Sequence, residues 1–333
     1  MGDILYIVVP CYKEEEVLPE TAKRLKEKMT GLIFRGKISA QSRVVFVNDG
    51  STDRTWQLIE ELHESDKLFS GINLSRNRGH QNALLAGLMT VIPHVDFSIS
   101  MDADLQDDIH AIDKMVDKYY EGCDIVYGVR SRRDTDTFFK KATAEGFYKL
   151  MERLGAKIVF NHADYRLMSK RALEGLREFK EVNLFLRGII PMIGYKSDTV
   201  EYERGERFAG ESKYPLKKML AFAFEGITSL SAVPIRFISM LGIALMLIGI
   251  IILIAGSGAV LFSIWFIGGV QLISIGLIGE YMGKAYLEIK ARPRFIVEKF
   301  INCPGYESNP EDEIKLSDQT VAEFMRTRNS PED

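Results

Sequence analysis

The chain has 333 residues, and 43 Lys and Arg against 46 Asp and Glu give a formal net charge of −3, which excludes bulk electrostatic attraction to nucleic acid. Its 46% hydrophobic content suits an ordinary soluble protein, but the average conceals two kinds of sequence. Residues 237–279 contain no Asp, Glu, Lys or Arg over 43 positions, so the charge crowds into a polar globular part joined to a membrane part.

The three cysteines, Cys11, Cys123 and Cys303, form no C-x-x-C pair, and none of the five histidines has ligand spacing, which argues against a disulfide framework or a zinc site. The first apolar run, residues 4–9, is too short for a signal h-region and lacks a basic leader. The globular part is therefore expected in the cytoplasm.

Up to about residue 130, short β-rich runs alternate with amphipathic stretches, the signature of a parallel sheet flanked by helices. Strands are expected over 4–9, 43–47, 70–74, 96–101 and 124–127, with helices over 15–29, 53–64, 79–91 and 109–120. Two or three further helices and a short strand at 165–168 fit the span 137–200, and the charged, glycine-containing residues 201–213 read as a loop. From 213 to 233, Lys213, Lys217 and Lys218 lie beside Leu216, Leu220, Phe222, Phe224 and Ile227, which suits a helix on a bilayer surface. An ordinary surface helix is the alternative.

Residues 237–255 are 19 uncharged positions, about 28 Å as a helix and close to the hydrocarbon thickness of a bilayer. Gly256-Ser257-Gly258 permits a turn, and residues 259–279 supply a second uncharged run of 21. Lys217, Lys218 and Arg236 precede the pair and Lys284, Lys290, Arg292 and Arg294 follow it, so both outer ends carry the cytoplasmic charge bias of a hairpin. The expected organisation is a globular α/β domain over 1–212, interfacial helices over 213–235, a two-helix transmembrane hairpin over 236–283 and a cytoplasmic tail over 284–333.

In such open sheets ligands collect beyond the carboxyl ends of the strands. Met101-Asp102-Ala103-Asp104-Leu105-Gln106 follows one strand, and carboxylates two residues apart are hard oxygen ligands suited to Mg²⁺ or Mn²⁺ carrying a diphosphate. An isolated D-x-D is also common in plain loops. Asn48-Asp49-Gly50-Ser51-Thr52-Asp53 ends another strand with a glycine turn and a capping hydroxyl, and it reads equally as a simple strand-turn-helix connection. Pro10-Cys11-Tyr12-Lys13-Glu14 closes the first strand with a ring and a carboxylate where a base and ribose could be held.

Taken in order, VVPCYKEEE, VNDGSTD, NLSRNRGHQNALLAGL and MDADLQDD resemble the landmarks of glycosyltransferase family 2, which has an inverting GT-A (Rossmann-like) fold and uses nucleotide-sugar donors. NHADYRLMSKRAL, FLRGIIPMIGY, ERGERFAGESKYPLKKML and GLIGEYMGKAYLEIKARPRF resemble the branch that glycosylates polyprenyl phosphates, which includes bactoprenol glucosyltransferases and dolichol-phosphate mannose synthase. The likeness runs from about residue 4 to about residue 300.

The resemblance implies that Pro10, Tyr12, Glu14 and Asp49 hold base and ribose, with Asp102 and Ala103 beside the diphosphate and Asp102, Asp104 and Gln106 at the metal. It implies a place for Asp164 near the transferring sugar, as base or as orienting group. A salt bridge to Arg166 or another arginine is the alternative role. Arg130 and Arg132, in a basic run with Arg133, and Arg204, Arg207, Ser212 and Lys213 offer donors for the acceptor phosphate, against the simpler reading of solvated charge. Two features depart from the family pattern: Asn48 stands where an aspartate is common, and the connection between the spans is short.

The expected reaction is in-line attack by a polyprenyl-phosphate oxygen on the anomeric carbon of a nucleotide-linked sugar, with UDP as the preferred carrier and a bacterial inner membrane as the setting. A GDP-mannose-dependent mannosyltransferase is the near alternative, and a membrane-anchored nucleotide-sugar binding protein without catalysis is the alternative from another class. A processive polysaccharide synthase is disfavoured, because Trp56 and Trp265 are the only tryptophans and neither lies in a Q-x-x-R-W context. A transporter is disfavoured by two spans with a single amide, Gln271. A homo-oligomer is compatible with the sequence and not required by it.

Overall fold

The computed structural model describes residues 2–130, 162–181, 185–203 and 260–302, with the isolated positions 240, 244 and 251. In chain order the elements are β1 (Leu5–Cys11), α1 (Leu18–Phe34), β2 (Arg43–Asn48), α2 (Thr55–Ser65), β3 (Phe69–Leu74), α3 (His80–Val91), β4 (Phe97–Ser100), α4 (Ala111–Tyr120) and β5 (Ile125–Arg130). They continue with β6 (His162–Ser169), α5 (Lys170–Arg177), α6 (Leu186–Met192), β7 (Ser197–Tyr202), α7 (Val260–Lys290) and β8 (Val297–Ile301).

The strands make one sheet in the order β7-β5-β6-β4-β1-β2-β3-β8. Because β1 is buried along its whole length, its alternate residues feed two cores. Leu5, Ile7 and Val9 pack with Leu18, Leu25 and Met29 of α1 and with Ile59, Met115 and Val116 of α2 and α4. Tyr6 and Val8 face the other way, toward Leu84, Leu88 and Val91 of α3 and Leu173 and Leu176 of α5. Helices thus cover both faces, as the alternating pattern implies, and all nine of the strands and helices expected before residue 130 are present.

The sheet is not purely parallel. β1, β2, β3 and β4 are mutually parallel, as are β5 and β7, but β6 runs antiparallel between β4 and β5, and β8 runs antiparallel along β3. This insertion has a functional consequence. The amino end of β6 comes to the same sheet edge as the carboxyl ends of β4 and β5, so residues from a distant part of the sequence join the edge where ligands bind.

β7 extends through Glu201 and Tyr202, so the expected loop at 201–213 begins in a strand, and its remainder lies outside the described residues. α7 is 31 residues long, about 46 Å at the helical rise, and continues beyond the expected span of 259–279 to Lys290. Within it, 266–290 is long and apolar enough to cross a membrane, and Ile264, Ile273, Ile275, Ile278 and Met282 are exposed. This is one such helix among the described residues. The expected first span at 237–255 and the interfacial segment at 213–235 fall outside them except at isolated positions, so the first arm of the expected hairpin is not shown. β8 was not expected: residues 297–301 of the tail return to the sheet and cover the edge of β3.

Candidate active site

At the end of β1 the chain turns sharply. Lys13 has φ 57°, in the left-handed region, and its amide donates to Ser51 Oγ at 3.0 Å. Glu14 is fixed through its backbone, with its N–H on Thr55 Oγ1 at 3.0 Å and its carbonyl accepting from Val17 and Leu18 at the start of α1. Tyr12 is left exposed between these anchors, with Lys13 Nζ 5.6 Å from its ring centroid. Pro10 is within β1, paired with Val47.

Asp49 follows β2 and accepts from two backbone amides, Arg78 N–H at 2.7 Å on Oδ1 and Gly79 N–H at 2.9 Å on Oδ2. Burial raises its carboxyl above the ordinary value, and these amides oppose the shift. The sequence suggested a turn former or a ribose ligand. The structure places Asp49 as the clasp that fixes the loop entering α3. Gly50 permits the clasp: its φ is +62°, and a Cβ there would lie 2.4 Å from Asn77 N.

Asp102 follows β4. Its Oδ1 is enclosed without a hydrogen-bond partner, while His80 Nε2, at the first position of α3, stands 3.4 Å away in ion-pair range. Burial raises the Asp102 carboxyl, and Asp164 and Asp104 add to this against His80. Ala103 is buried, and its carbonyl accepts from Thr21 Oγ1 at 2.9 Å. Asp104 Oδ1 accepts from the amide of Gln106 at 3.2 Å, closing a turn in which Leu105 has φ 57°.

Among the described residues, no three His, Cys, Asp or Glu side chains form a metal-holding group, so the expected metal set is present only as its carboxylates and amide. The unmet acceptor on Asp102 nevertheless fits a divalent cation. Mg²⁺ in phosphate chemistry is usually held by one or two carboxylates, with substrate oxygens completing the shell.

Asp164, near the start of β6, is held from two sides. Arg166 Nη2 donates to its Oδ1 at 2.5 Å and Arg187 Nη2 to its Oδ2 at 3.2 Å, while His80 Nε2 stands 3.7 Å from Oδ2. Burial alone would raise this carboxyl. Arg187, Arg166 and His80 outweigh burial and hold it well below the usual carboxylate range. Ser100 Oγ fixes the backbone of the strand by donating to the Asp164 carbonyl at 2.6 Å. His80 therefore joins the Asp102 and Asp164 carboxylates into one group.

Arg130, at the end of β5, donates through Nε to Tyr202 Oη at 3.3 Å, and Tyr202 in turn donates to Asp107 Oδ1 at 2.6 Å. Asp107 is pushed up to about 6, first by burial and then by Asp102. Arg132, Arg204, Arg207, Ser212 and Lys213 lie outside the described residues.

Sequence reasoning missed His80, Arg187, Asp107 and Tyr202. A lone arginine inside the apolar run Leu184-Phe185-Leu186-Arg187-Gly188-Ile189-Ile190 was the available signal for Arg187, because a cation there needs a partner. Tyr202 gave none, since it fell in a stretch that read as loop.

The model of "Glycosyl transferase family 2" matches residues 6–177. The chain is 52% identical over 307 residues to the "Uncharacterized glycosyltransferase YkoT" of Bacillus subtilis (strain 168), covering 89% of this chain and 91% of that protein. It is 39% identical over 307 residues to the "Prophage bactoprenol glucosyl transferase homolog" of Escherichia coli (strain K12), covering 88% and 98%. Among solved structures it is similar to glucosyl-3-phosphoglycerate synthase from Mycobacterium tuberculosis in complex with Mn²⁺, UDP-glucose and phosphoglyceric acid. That likeness has 16% identity and a TM-score of 0.44 over 69% of this chain and 79% of the other. With its GT-A α/β sheet and a family match over more than half of its length, the chain belongs to glycosyltransferase family 2.

Proposed function

We propose that this glycosyltransferase moves a hexose or N-acetylhexosamine, glucose foremost, from a UDP-linked donor to a polyprenyl phosphate such as undecaprenyl phosphate, at the cytoplasmic face of a bacterial inner membrane. The observation that carries the reading is the convergence of Asp102, Asp164, His80 and Arg187 at the carboxyl edge of a sheet whose last strand follows an exposed apolar helix. A donor soluble in water and an acceptor held in lipid require an enzyme at that boundary. The name of the Escherichia coli relative supports bactoprenol as the lipid.

In the proposed reaction an oxygen of the lipid phosphate bonds to the anomeric carbon with inversion. The bond from that carbon to the donor diphosphate breaks, and its electron pair leaves with the nucleoside diphosphate. A phosphate monoester, with its second pKa near ~6, is largely dianionic at neutral pH and already nucleophilic. The protein's task is then to hold two anions in register. Asp164, kept ionised by two arginines, is a weak base and is suited to orient sugar hydroxyls. Arg130, at the end of β5 and bonded to Tyr202, would supply a cation for the acceptor phosphate. A divalent cation, Mg²⁺ or Mn²⁺, held by Asp102 and Asp104 with Gln106, would neutralise charge on the departing diphosphate.

The test is incubation of detergent-purified protein with undecaprenyl phosphate, Mg²⁺ or Mn²⁺ and a panel of UDP- and GDP-linked sugars, followed by mass spectrometry of the lipid. One added hexose from one donor is expected, with turnover abolished in Asp102→Asn and Asp104→Asn although both variants remain folded. Donor binding without transfer to any polyprenyl phosphate would overturn the reading, and full activity of both variants would remove the metal assignment.

A further inference from the structure

We infer that the C-terminal strand β8 is a working part of the donor site, acting through a polar relay that runs from Glu298 across Asn73 and Asn48 to Ser51 and Lys13. The inference rests on the proposed reading of residues 10–14 and 48–53 as the donor side. Asn73 Nδ2 donates to Glu298 Oε2 at 3.0 Å, and Asn48 Nδ2 donates to Asn73 Oδ1 at 2.7 Å. The Ser51 amide donates to Asn48 Oδ1 at 3.2 Å, and Ser51 Oγ accepts the amide of Lys13 at 3.0 Å. Four hydrogen bonds thus connect the edge strand that follows α7 with the left-handed residue directly after Tyr12.

The relay has a direction. A carboxylate at 298 only accepts, so Asn73 turns its NH₂ toward Glu298 and its oxygen toward residue 48. Residue 48 must then donate to Asn73 while accepting from Ser51. A neutral amide does both whereas a carboxylate only accepts, and Asn48 is 2% exposed, so a carboxylate there sets acceptor against acceptor at a poorly solvated position. The same three side chains line an open cavity of about 400 Å³ with Trp56 and Arg76, so the relay borders ligand-sized space rather than packed core.

The far end of the relay is fixed independently. Lys299 Nζ pairs with Glu60 Oε1 at 2.7 Å, and Ile301 packs over Gly71, where a Cβ would lie 3.1 Å from Ile301 and 2.4 Å from Ile59. Just before β8, Arg294 donates to the carbonyls of Phe179 and Glu181 at 3.3 and 3.1 Å. The chain leaving the apolar helix is therefore fastened to the domain before it reaches the donor loop. Glu298, Asn73 and Asn48 are positioning residues.

The full-length protein in detergent tests this with Glu298→Ala, Asn48→Asp and the double variant Asn48→Asp/Glu298→Gln. In the double variant the new amide at 298 can donate to a flipped Asn73, whose NH₂ then meets the new carboxylate at 48, so the relay is restored with reversed polarity. Asn48→Asp should raise the donor KM about tenfold and Glu298→Ala about threefold, each moving acceptor KM and kcat less, and the double variant should return to within about twofold of the parent. Hydrogen exchange in the peptide spanning 48–53 should quicken in Glu298→Ala and recover in the double variant. A double variant no better than Asn48→Asp, or unchanged exchange at 48–53 in Glu298→Ala, would overturn the relay. If Asn48→Asp fails to fold, Glu298→Ala at its exposed position decides alone. Should the parent transfer no sugar at all, the proposed function fails while the exchange measurement still decides the relay.

Discussion

Replacing Asp164 by Asn separates its two roles, because the substitution keeps the shape of the side chain and removes its charge. Arg166 is wholly buried, and its Nη2 lies 2.5 Å from the Asp164 carboxylate. An amide at 164 turns one oxygen toward one arginine and an NH₂ toward the other. Breaking a buried pair from one side costs about 3–5 kcal/mol. At about 2–4 °C per kcal/mol for a domain of this size, Tm should fall by about 6–20 °C. Activity would be lost as well, so the loss alone could not identify a catalytic role. Arg187 resolves this, since its side chain is 34% exposed and Arg187→Gln leaves the buried Asp164–Arg166 pair intact. Solvent screening keeps the stability cost of that change under about 1 kcal/mol, while a displaced carboxylate lowers kcat by about 100-fold. Thermal unfolding of the detergent-solubilised chain by tryptophan fluorescence, run beside the lipid glycosylation rate, measures both quantities. An Asp164→Asn variant melting within about 2 °C of the parent, or an Arg187→Gln variant with full kcat, would refute the clamp.

Asp107 links stability to pH. Its folded-state value of about 6 lies above the ordinary carboxylate value, so the stability it contributes is present below about pH 4 and is lost as pH rises through about 6. In metal-free buffer, Asp107→Asn should flatten that part of the urea-midpoint profile between about pH 4 and 6, and an identical slope in parent and variant would contradict the assignment. Gly50→Ala forces a side chain into a left-handed turn and against the Asn77 backbone, and should cost at least about 1 kcal/mol while loosening the Asp49 clasp. Urea unfolding measures the cost, and a neutral result would mean that the 75–79 loop yields freely.

The first nine elements could be read from the sequence because each is short, local and periodic: Leu5, Ile7 and Val9 alternate with Tyr6 and Val8, and a β-run buried on both faces has few other readings. Asp49, Asp102 and Asp104 could be picked out because carboxylates at strand ends stand apart from their apolar surroundings, whereas Asp164 was reached only through the family resemblance of its segment. Their partners could not. Nothing in the local pattern of Gly79-His80-Gln81 shows that the ring will lie between two carboxylates, because that distance is set by β6 entering the sheet from sixty residues beyond β4. β8 was hidden for the same reason. Val297-Glu298-Lys299-Phe300-Ile301 is a weak five-residue strand by itself, and only the open edge of β3 gives it a partner.

The antiparallel entry of β6 also accounts for the chemistry available at Asp164. A strand running parallel to β4 would deliver its first residues to the opposite edge of the sheet, far from Asp102. Running antiparallel, β6 pairs Arg166 with Ser100 on one side and with Tyr127 on the other, and the buried Arg166 shares a face of the sheet with Asp164 two residues earlier. A buried arginine must be neutralised, and Asp164 is the carboxylate within reach. The pair that neutralises the buried arginine thus holds a carboxylate ionised at the carboxyl edge of the sheet. Arg187 and His80 then tie that carboxylate to Asp102. Ionisation of Asp164 follows from folding, and the nucleophile of the proposed reaction arrives already charged on the lipid, so neither step requires this carboxylate to take up a proton.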